Sequence, residues 1–214
     1  MITKAVAKSL SQGLEQLKLT IPLSAQQAML EYIQLMHKWN QIHNLTAINN
    51  IEEMVAKHLL DSLSILPYLQ GTNFIDIGTG AGLPGIPLAL ACPNRHFTLI
   101  DSNKKKMVFV QHVITTLKIN NVTLQAVRVQ DIESHLRFDG VISRAYASLK
   151  DFVVSSKAVC KPTGLFYAMK GALDRNEEAE LPAEFCIENN INLLIPGIVQ
   201  KRCLILLKNN SSFN

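Results

Sequence analysis

Four glycines within eight residues have the type and spacing of a cofactor-binding loop: Gly78, Gly80, Gly82 and Gly85. The apolar run from Phe74 to Ile77 predicts a strand before the loop, and the run from Ile86 to Ala91 predicts a helix after it. Glycine permits positive φ and places no side chain between backbone and ligand. The N–H groups at the helix start can therefore approach a polar ligand.

Two carboxylates bear on the identity of that ligand. The G-x-G-x-x-G spacing from Gly80 to Gly85 matches a dinucleotide fingerprint, in which a pyrophosphate lies at the helix N-terminus. Asp76 opposes this ligand, because a carboxylate just before the loop would repel a pyrophosphate but suits the ammonium and sulfonium charges of S-adenosylmethionine. Asp101, 23 residues after Gly78, ends a predicted strand where a carboxylate accepts hydrogen bonds from ribose hydroxyls. Asp101 at this position fits NAD and S-adenosylmethionine equally well, because both contain a ribose.

Longer motifs remove most of this ambiguity. They are the segments Asp76 to Gly85, Leu99 to Ser102, Ser143 to Ala145, His58 to Ser62, Asn44 to Thr46 and Lys170 to Gly171. Together they resemble the ribosomal RNA small subunit methyltransferase G family, and the resemblance runs from about Leu14 to about Lys208. The Leu83-Pro84-Gly85 sequence in the loop is much more specific than a bare glycine spacing.

The resemblance implies an α/β fold, that of a class I S-adenosylmethionine-dependent methyltransferase: Rossmann-like, with a mostly parallel seven-stranded sheet and a helical N-terminal extension. It implies methylation of N7 of guanine 527 in the decoding-region loop of 16S ribosomal RNA. Guanine N7 has a free lone pair and no proton, so positioning can supply most of the rate without a catalytic base. The edge that bears N7 is inaccessible in A-form RNA, so the guanine must lie in a loop or be flipped out.

The cofactor-binding candidates lie in or directly after the predicted strands or form the glycine loop: Asp76, Gly78, Gly80, Gly82, Leu83, Asp101, Val129, Gln130 and Arg144. Gln130 stands where the family usually has an acidic residue near the adenine, and either its amide oxygen or Asp131 can accept a hydrogen bond from the exocyclic amine. Arg144 can hold RNA phosphate, stack on a base or contact the cofactor. Arg144 and His58 are the positioning candidates, and no catalytic base or metal site is assigned.

The RNA-binding candidates are basic residues beyond strand ends: Lys104, Lys105, Lys106, Arg144, Lys150 and Lys170. A lysine run at a helix start is usually only a solvated surface, but cations are poorly placed against the helix dipole, which favours an anionic partner. His58 and Asp61 share one helix face. An isolated pair of this kind favours a structural hydrogen bond over a catalytic dyad. Cys203 replaces a histidine of some relatives and is given no role.

Helical periodicity dominates the first seventy residues. Apolar stripes predict helices over 2–17, over 28–39 behind a capping box at Ser24, and over 51–66, where Pro67 forces a boundary. We predict a single methyltransferase domain over 1–214, with a helical layer (1–70) beside a Rossmann-like cofactor-binding core (71–214).

Strands and helices alternate after the glycine loop, which is typical of a parallel sheet covered on both faces. A third strand is predicted from Val122 to Val129, ending at Gln130, and later strands over 140–143 and 165–169. The segments 191–195 and 203–207 predict the last two strands, joined as a hairpin through Pro196 and Gly197.

Composition excludes several classes of protein. A chain with 48% hydrophobic and 18% charged residues is too apolar for disorder, and its apolar runs are too short for a membrane span. Residues 1–5 lack a signal-peptide core and the four cysteines lie far apart, so we expect reduced thiols in a cytoplasmic protein. The net charge of +4 is compatible with a polyanionic partner. We expect 16S ribosomal RNA or the small ribosomal subunit as partner, no membrane and a monomer.

Two other functions remain open at this point. An NAD-dependent oxidoreductase is favoured by the glycine spacing and Asp101 and opposed by Asp76. A non-catalytic RNA-binding module is favoured by the excess of basic over acidic residues, and opposed by a complete cofactor loop that such a module would not need.

Overall fold

The structure, a computed structural model, describes residues 2–133, 135–144, 146 and 148–210. Met1 and Ala145, both used in the sequence analysis, lie outside the described residues. The strands are β1 (Asn73–Ile77), β2 (His96–Ile100), β3 (Val122–Gln125), β4 (Phe138–Ser143), β5 (Cys160–Lys170), β6 (Phe185–Asn192) and β7 (Cys203–Asn209). They form one seven-stranded sheet in the order β3-β2-β1-β4-β5-β7-β6.

The first five strands pair in parallel, and β7 pairs antiparallel with both β5 and β6. The chain leaves β1 toward β2 and β3 on one side and returns to β4 and β5 on the other. Strand order therefore reverses between β1 and β4, and open α/β sheets bind ligands beyond the carboxyl ends of the strands at such a point.

The N-terminal helices are α1 (Lys4–Gln16), α2 (Leu23–His43), α3 (Ile51–Met54) and α4 (Asp61–Leu63), with a π-helical turn (Val55–Leu60) between the last two. Later helices are α5 (Gly85–Ala91), α6 (Lys104–Thr116), α7 (Leu149–Ser156) and α8 (Arg175–Ala179). Several of these helices begin with a side-chain N-cap. The Thr3 side chain accepts a hydrogen bond from the Val6 N–H at the start of α1, and that of Asn103 accepts one from the Lys106 N–H at the start of α6.

Two apolar layers cover the sheet. Buried residues of α1 and α2, such as Leu10 and Met36, belong to the same core as Phe74 of β1 and Phe97 of β2. On the opposite face, residues of α7 such as Phe152 pack with the other set of strand side chains. The helical N-terminal segment thus shares its core with the sheet, which brings α2 close to the glycine loop.

Several predicted boundaries are wrong. The capping box at Ser24 does not form, because α2 begins at Leu23 and Pro22 precedes it without a side-chain cap. The third strand ends at Gln125, so Val129 and Gln130 lie in a 3₁₀ turn (Val129–Asp131) and not at a strand end.

The predicted strand 191–195 is also misplaced, because the sixth strand is β6 (Phe185–Asn192). The polar residues of β6 face solvent at the sheet edge, and a bulge between Ile187 and Asn189 interrupts the alternation of buried and exposed side chains. The sequence of β6 therefore lacks the alternating apolar pattern from which a strand is predicted. The segment 191–195 looked like a strand because Leu193 and Ile195 are apolar. Both residues lie in the loop after β6, and their side chains are buried.

Candidate functional site

Asp76 shapes the glycine loop from beneath. It lies in β1 with no exposed surface, and its Oδ2 accepts hydrogen bonds from the Thr79 hydroxyl at 2.6 Å and from the Gly85 N–H at 2.9 Å. Its Oδ1 is buried and has no hydrogen-bond partner among the described residues. Burial raises the pKa of Asp76 from 3.8 to about 6, against the opposing effect of the Thr79 and Gly85 hydrogen bonds. One oxygen holds the loop, and the other has no partner among the described residues.

The N–H groups of the loop already have acceptors within the protein. Those of Gly78 and Thr79 donate to the Ile100 carbonyl, that of Gly80 to Asp101 Oδ2 and that of Gly85 to Asp76. These four N–H groups therefore bind acceptors of the protein itself, and the approach of a polar ligand to the N–H groups at the helix start stays a prediction. At the start of α5 the Asp76 carboxylate occupies the place that a phosphate takes in a dinucleotide site, which argues against a pyrophosphate ligand.

Space beside the loop lies above Gly78 and Gly80. Both have positive φ, +71° and +60°, and a Cβ added at Gly78 would meet no atom within 4 Å. Gly82 serves packing instead, because a Cβ there would lie 2.7 Å from Ile86 Cγ1. Leu83 is buried, and its N–H donates to the Thr79 carbonyl at 2.8 Å.

A first cleft, with a volume of about 240 Å³, opens next to this space. It is lined by Ile77, Gly78, Ile100, Asp101, Ser102, Val127, Arg128, Val129, Gln130 and Tyr146. Asp101 accepts the N–H groups of Gly80 and Asn103 at 2.8 and 2.7 Å, one on each oxygen. A carboxylate oxygen can accept more than one hydrogen bond, so Asp101 keeps acceptor capacity toward the cleft.

Tyr32 ties the N-terminal helices to the glycine loop. It is fully buried on α2, and its hydroxyl donates to the Ala81 carbonyl at 2.8 Å. Burial raises the pKa of Tyr32 well above its usual value, so the phenol keeps its proton. In the sequence Tyr32 is only one member of an apolar helix stripe, and no local pattern connects it with the loop.

A second cleft of about 570 Å³ adjoins the first. Its lining comes from distant parts of the chain: Ile48, Lys57, His58, Asp61, Arg144, Tyr146, Met169, Lys170, Gly171, Leu193, Arg202 and Cys203. Tyr146 lines both clefts, and its hydroxyl is 2.7 Å from the Ser155 hydroxyl. The two clefts are therefore neighbours that share Tyr146 as a lining residue. Sequence reasoning missed Tyr146, which has no motif of its own.

Asp61 lies between two arginines in the second cleft. Its Oδ2 is 3.3 Å from Arg144 Nη1, and its Oδ1 is 3.2 Å from Arg202 Nε. Arg144 also donates to the Lys57 carbonyl at 3.2 Å. The carboxylate is buried, whereas both guanidinium groups are partly exposed, so they keep donors and a net positive charge toward the cleft.

His58 and Asp61 do not form the hydrogen bond that their spacing favoured. His58 Nε2 is 3.0 Å from the Thr46 hydroxyl, and its Nδ1 is buried without a partner among the described residues. Burial, followed by the charge of Arg144, lowers the pKa of His58 to about 4. The imidazole is neutral near pH 7, and the π-helical turn that carries it is a feature frequently found at functional sites.

The lysine candidates differ in their surroundings. Lys104, Lys105 and Lys150 are exposed, whereas Lys106 is half-buried with its ammonium close to the glycine loop: a Cβ at Gly80 would lie 3.9 Å from Lys106 Nζ. The Nζ atom of Lys170 is 2.6 Å from Glu177 Oε1, so the Glu177 carboxylate largely compensates the charge of Lys170.

The described part of the chain contains neither a candidate metal-binding cluster nor a helix that could cross a membrane. No group of three or more His, Cys, Asp or Glu residues described by the structure is arranged to hold a metal ion. None of the described helices combines the length and the apolar character needed to cross a membrane.

The chain is similar to known proteins over most of its length. A family model described as rRNA small subunit methyltransferase G matches residues 25–206. The chain is 44% identical over 182 residues to ribosomal RNA small subunit methyltransferase G of Escherichia fergusonii, covering 85% of this chain and 88% of that protein. It is 43% identical over 212 residues to the protein of the same name from Nitrosomonas eutropha, covering 95% and 98%.

Solved structures share the fold at low sequence identity. TrmK of M. capricolum, in complex with S-adenosyl-homocysteine, is similar with a TM-score of 0.57 and 13% identity, covering 72% of this chain and 70% of that chain. Ribosomal protein L11 methylase of Lactobacillus delbrueckii subsp. bulgaricus is similar with a TM-score of 0.53 and 17% identity, covering 70% and 77%. These likenesses concern the fold alone.

Proposed function

The chain belongs to the ribosomal RNA small subunit methyltransferase G family, and on that premise we propose that it methylates N7 of guanine 527 in the decoding-region loop of 16S ribosomal RNA. It is an S-adenosylmethionine-dependent ribosomal RNA methyltransferase with a class I fold. The observation that carries the finer proposal is the pair of adjoining clefts: the Asp101 carboxylate lines the first, two guanidinium groups line the second, and Tyr146 lines both.

The residues around the first cleft fit S-adenosylmethionine. The unpartnered, buried Oδ1 of Asp76 suits an ammonium donor, and Asp101 has acceptor capacity for ribose hydroxyls. The backbone at Gly78 leaves open space, and Val129 and Gln130, which line the same cleft, are our candidates for contacts with the adenine ring. The bound cofactor supplies an electrophilic methyl group on a sulfonium.

The second cleft is suited to a guanine of an RNA chain. Its volume of about 570 Å³ is within the usual range for ligand sites. Guanine presents the O6 acceptor beside N7, and guanidinium groups are the usual partners of such acceptors and of phosphates. Arg144 and Arg202 are held by Asp61 in a fixed orientation, which limits the motion of a base that they bind.

Positioning is the main contribution of the protein in this proposal. Guanine N7 carries a lone pair and no proton, so no side chain has to remove a proton before the methyl group is transferred. Neutral His58 fits this chemistry, because its lowered pKa keeps a further positive charge away from the methyl acceptor. We propose Arg144 and His58 as positioning residues, and Lys104, Lys105 and Lys150 as phosphate contacts.

The oxidoreductase alternative is not retained, because the family and the loop geometry both favour S-adenosylmethionine. A non-catalytic RNA-binding module is likewise not retained, since the chain belongs to a family of enzymes. We further propose one domain, with 1–70 as the helical layer and 71–214 as the cofactor-binding core. The protein acts in this proposal as a cytoplasmic monomer without a membrane partner.

The test is methyl transfer to small ribosomal subunits that lack the modification. With labelled S-adenosylmethionine, the purified protein should transfer one methyl group to each subunit, and mapping should locate it at N7 of guanine 527. Subunits that already carry the modification are the control and should accept no label. A parallel reaction with protein-free 16S RNA shows which form is used. Label at another nucleotide, or no label on either the subunits or the free RNA, would refute the assigned substrate.

A further inference from the structure

The loop between β6 and β7, residues 193–202, presents two apolar side chains to solvent. Leu194 is 90% exposed and Val199 is 98% exposed. These values exceed those of the other large apolar residues exposed in the described chain, among which Leu23 at 81% and Ile42 at 77% come next. Exposure of this degree at two positions of one short loop costs hydration free energy that a binding partner can recover.

The loop is held in place from within. The Leu193 N–H donates to the Arg202 carbonyl at 2.8 Å and closes the loop, and the Ile198 N–H donates to the Ile195 carbonyl at 3.0 Å. Gly197 has φ +80°, and a Cβ there would lie 3.0 Å from Ala56 Cβ, so the loop packs against the π-helical turn. Leu194 and Val199 therefore project from an anchored loop.

The position of the loop connects it with the second cleft. Leu193 and Arg202, its two ends, line that cleft, and they also line a neighbouring groove of about 620 Å³ to which Leu194 and Val199 contribute. The loop contains Lys201 and Arg202 and no Asp or Glu. Its surface thus continues the substrate cleft, and its charge is complementary to a polyanion.

We propose that Leu194 and Val199 form an apolar wedge that contacts the base faces of the RNA beside the target guanine. This inference rests on the proposed function, because N7 becomes accessible only when the guanine leaves the base stack or lies in an open loop. The departure of a base leaves the faces of its neighbours exposed to water. Apolar side chains inserted at such a gap are a common device of proteins that distort nucleic acids, and Lys201 supplies a cation for the adjacent phosphates.

A double variant tests the wedge against a matched control. The Leu194→Ala/Val199→Ala variant buries several fewer methylene groups against the RNA. It should therefore methylate unmodified small subunits in a single turnover, or bind them, about tenfold or more less well than the wild type. Affinity for S-adenosylmethionine and thermal stability should stay at wild-type values. The control Leu23→Ala/Ile42→Ala removes comparable exposed side chains from α2, which contributes no residue to either cleft as the structure describes them, and should leave the rate unchanged.

The nature of the partner is tested by photo-crosslinking. A Val199→p-benzoylphenylalanine variant bound to unmodified subunits should crosslink to 16S nucleotides that flank the target guanine, and a crosslink confined to a ribosomal protein would overturn the proposal. Normal methylation by the double variant, or an equal decrease in the control variant, would overturn it as well. A wild-type protein that transfers no methyl group would instead refute the proposed function itself.

Discussion

Asp76 is expected to lower the stability of the ligand-free protein as the pH rises. Burial raises its pKa from 3.8 to about 6, so between these values the folded state binds a proton that the unfolded chain has released. Stability falls with increasing pH wherever the folded state binds more protons. A shift of about two units corresponds to about 3 kcal/mol in total, of which about 2 kcal/mol is lost between about pH 4.5 and about pH 7.5.

Asp76→Asn removes this titration while keeping the shape of the side chain. The amide oxygen can still accept from Thr79 and Gly85, and any constant cost of burying the amide nitrogen is the same at each pH. The free energy of unfolding of the variant, minus that of the wild type, should therefore rise by about 2 kcal/mol from about pH 4.5 to about pH 7.5. Urea unfolding without cofactor at both pH values measures the difference.

Asp139 provides the control. Burial acts to raise its pKa, but hydrogen bonds from Lys161 and from the Thr72 and Asn73 N–H groups lower it below the usual value. Stability from such a group is present above its unfolded pKa and is lost only as the pH falls toward the folded one, so it is nearly constant in this window. The Asp139→Asn difference should accordingly stay flat between the two pH values. If the difference in free energy of unfolding between Asp76→Asn and the wild type is also constant with pH, or falls as the pH rises, burial does not raise the pKa of Asp76.

Three further predictions concern binding and turnover. Asp101→Ala should weaken S-adenosylmethionine binding by about 1–3 kcal/mol, measured by titration calorimetry, because ribose hydroxyls lose their acceptor; unchanged affinity would exclude the ribose assignment. Arg144→Ala should depress single-turnover methylation at saturating RNA, and Arg144→Lys should not restore it, because a planar guanidinium is needed; a decrease in RNA affinity alone would make Arg144 a docking residue. Lys104→Gln/Lys105→Gln should reduce the salt slope of RNA binding by about one unit for each phosphate that is no longer neutralised, without changing cofactor affinity, whereas an unchanged slope would remove these lysines from the RNA interface.

Local sequence is sufficient to predict the segment that carries the glycine loop. The strand, glycine loop and helix between Asn73 and Ala91 follow from residues that are neighbours in the chain, because hydrophobic period and glycine conformation act locally. The positions of Asp76 and Asp101 beside the loop follow for the same reason, since Asp76 lies in β1 and Asp101 directly follows β2. The family motifs predicted the fold class and the enzyme, which the comparisons confirmed.

The construction of the second cleft, in contrast, depends on the tertiary fold. Asp61 meets Arg202 across 141 residues of chain, and Tyr32 reaches the Ala81 carbonyl across 49. Such pairs carry no periodic or spacing signal, because their geometry depends on the packing of helices against the sheet. The same holds for β6, whose polar residues are tolerated at the sheet edge, and for Leu194, which lies in the predicted strand 191–195 but is exposed in the loop, as Val199 is. Local pattern predicts the elements, whereas long-range packing decides which side chains meet.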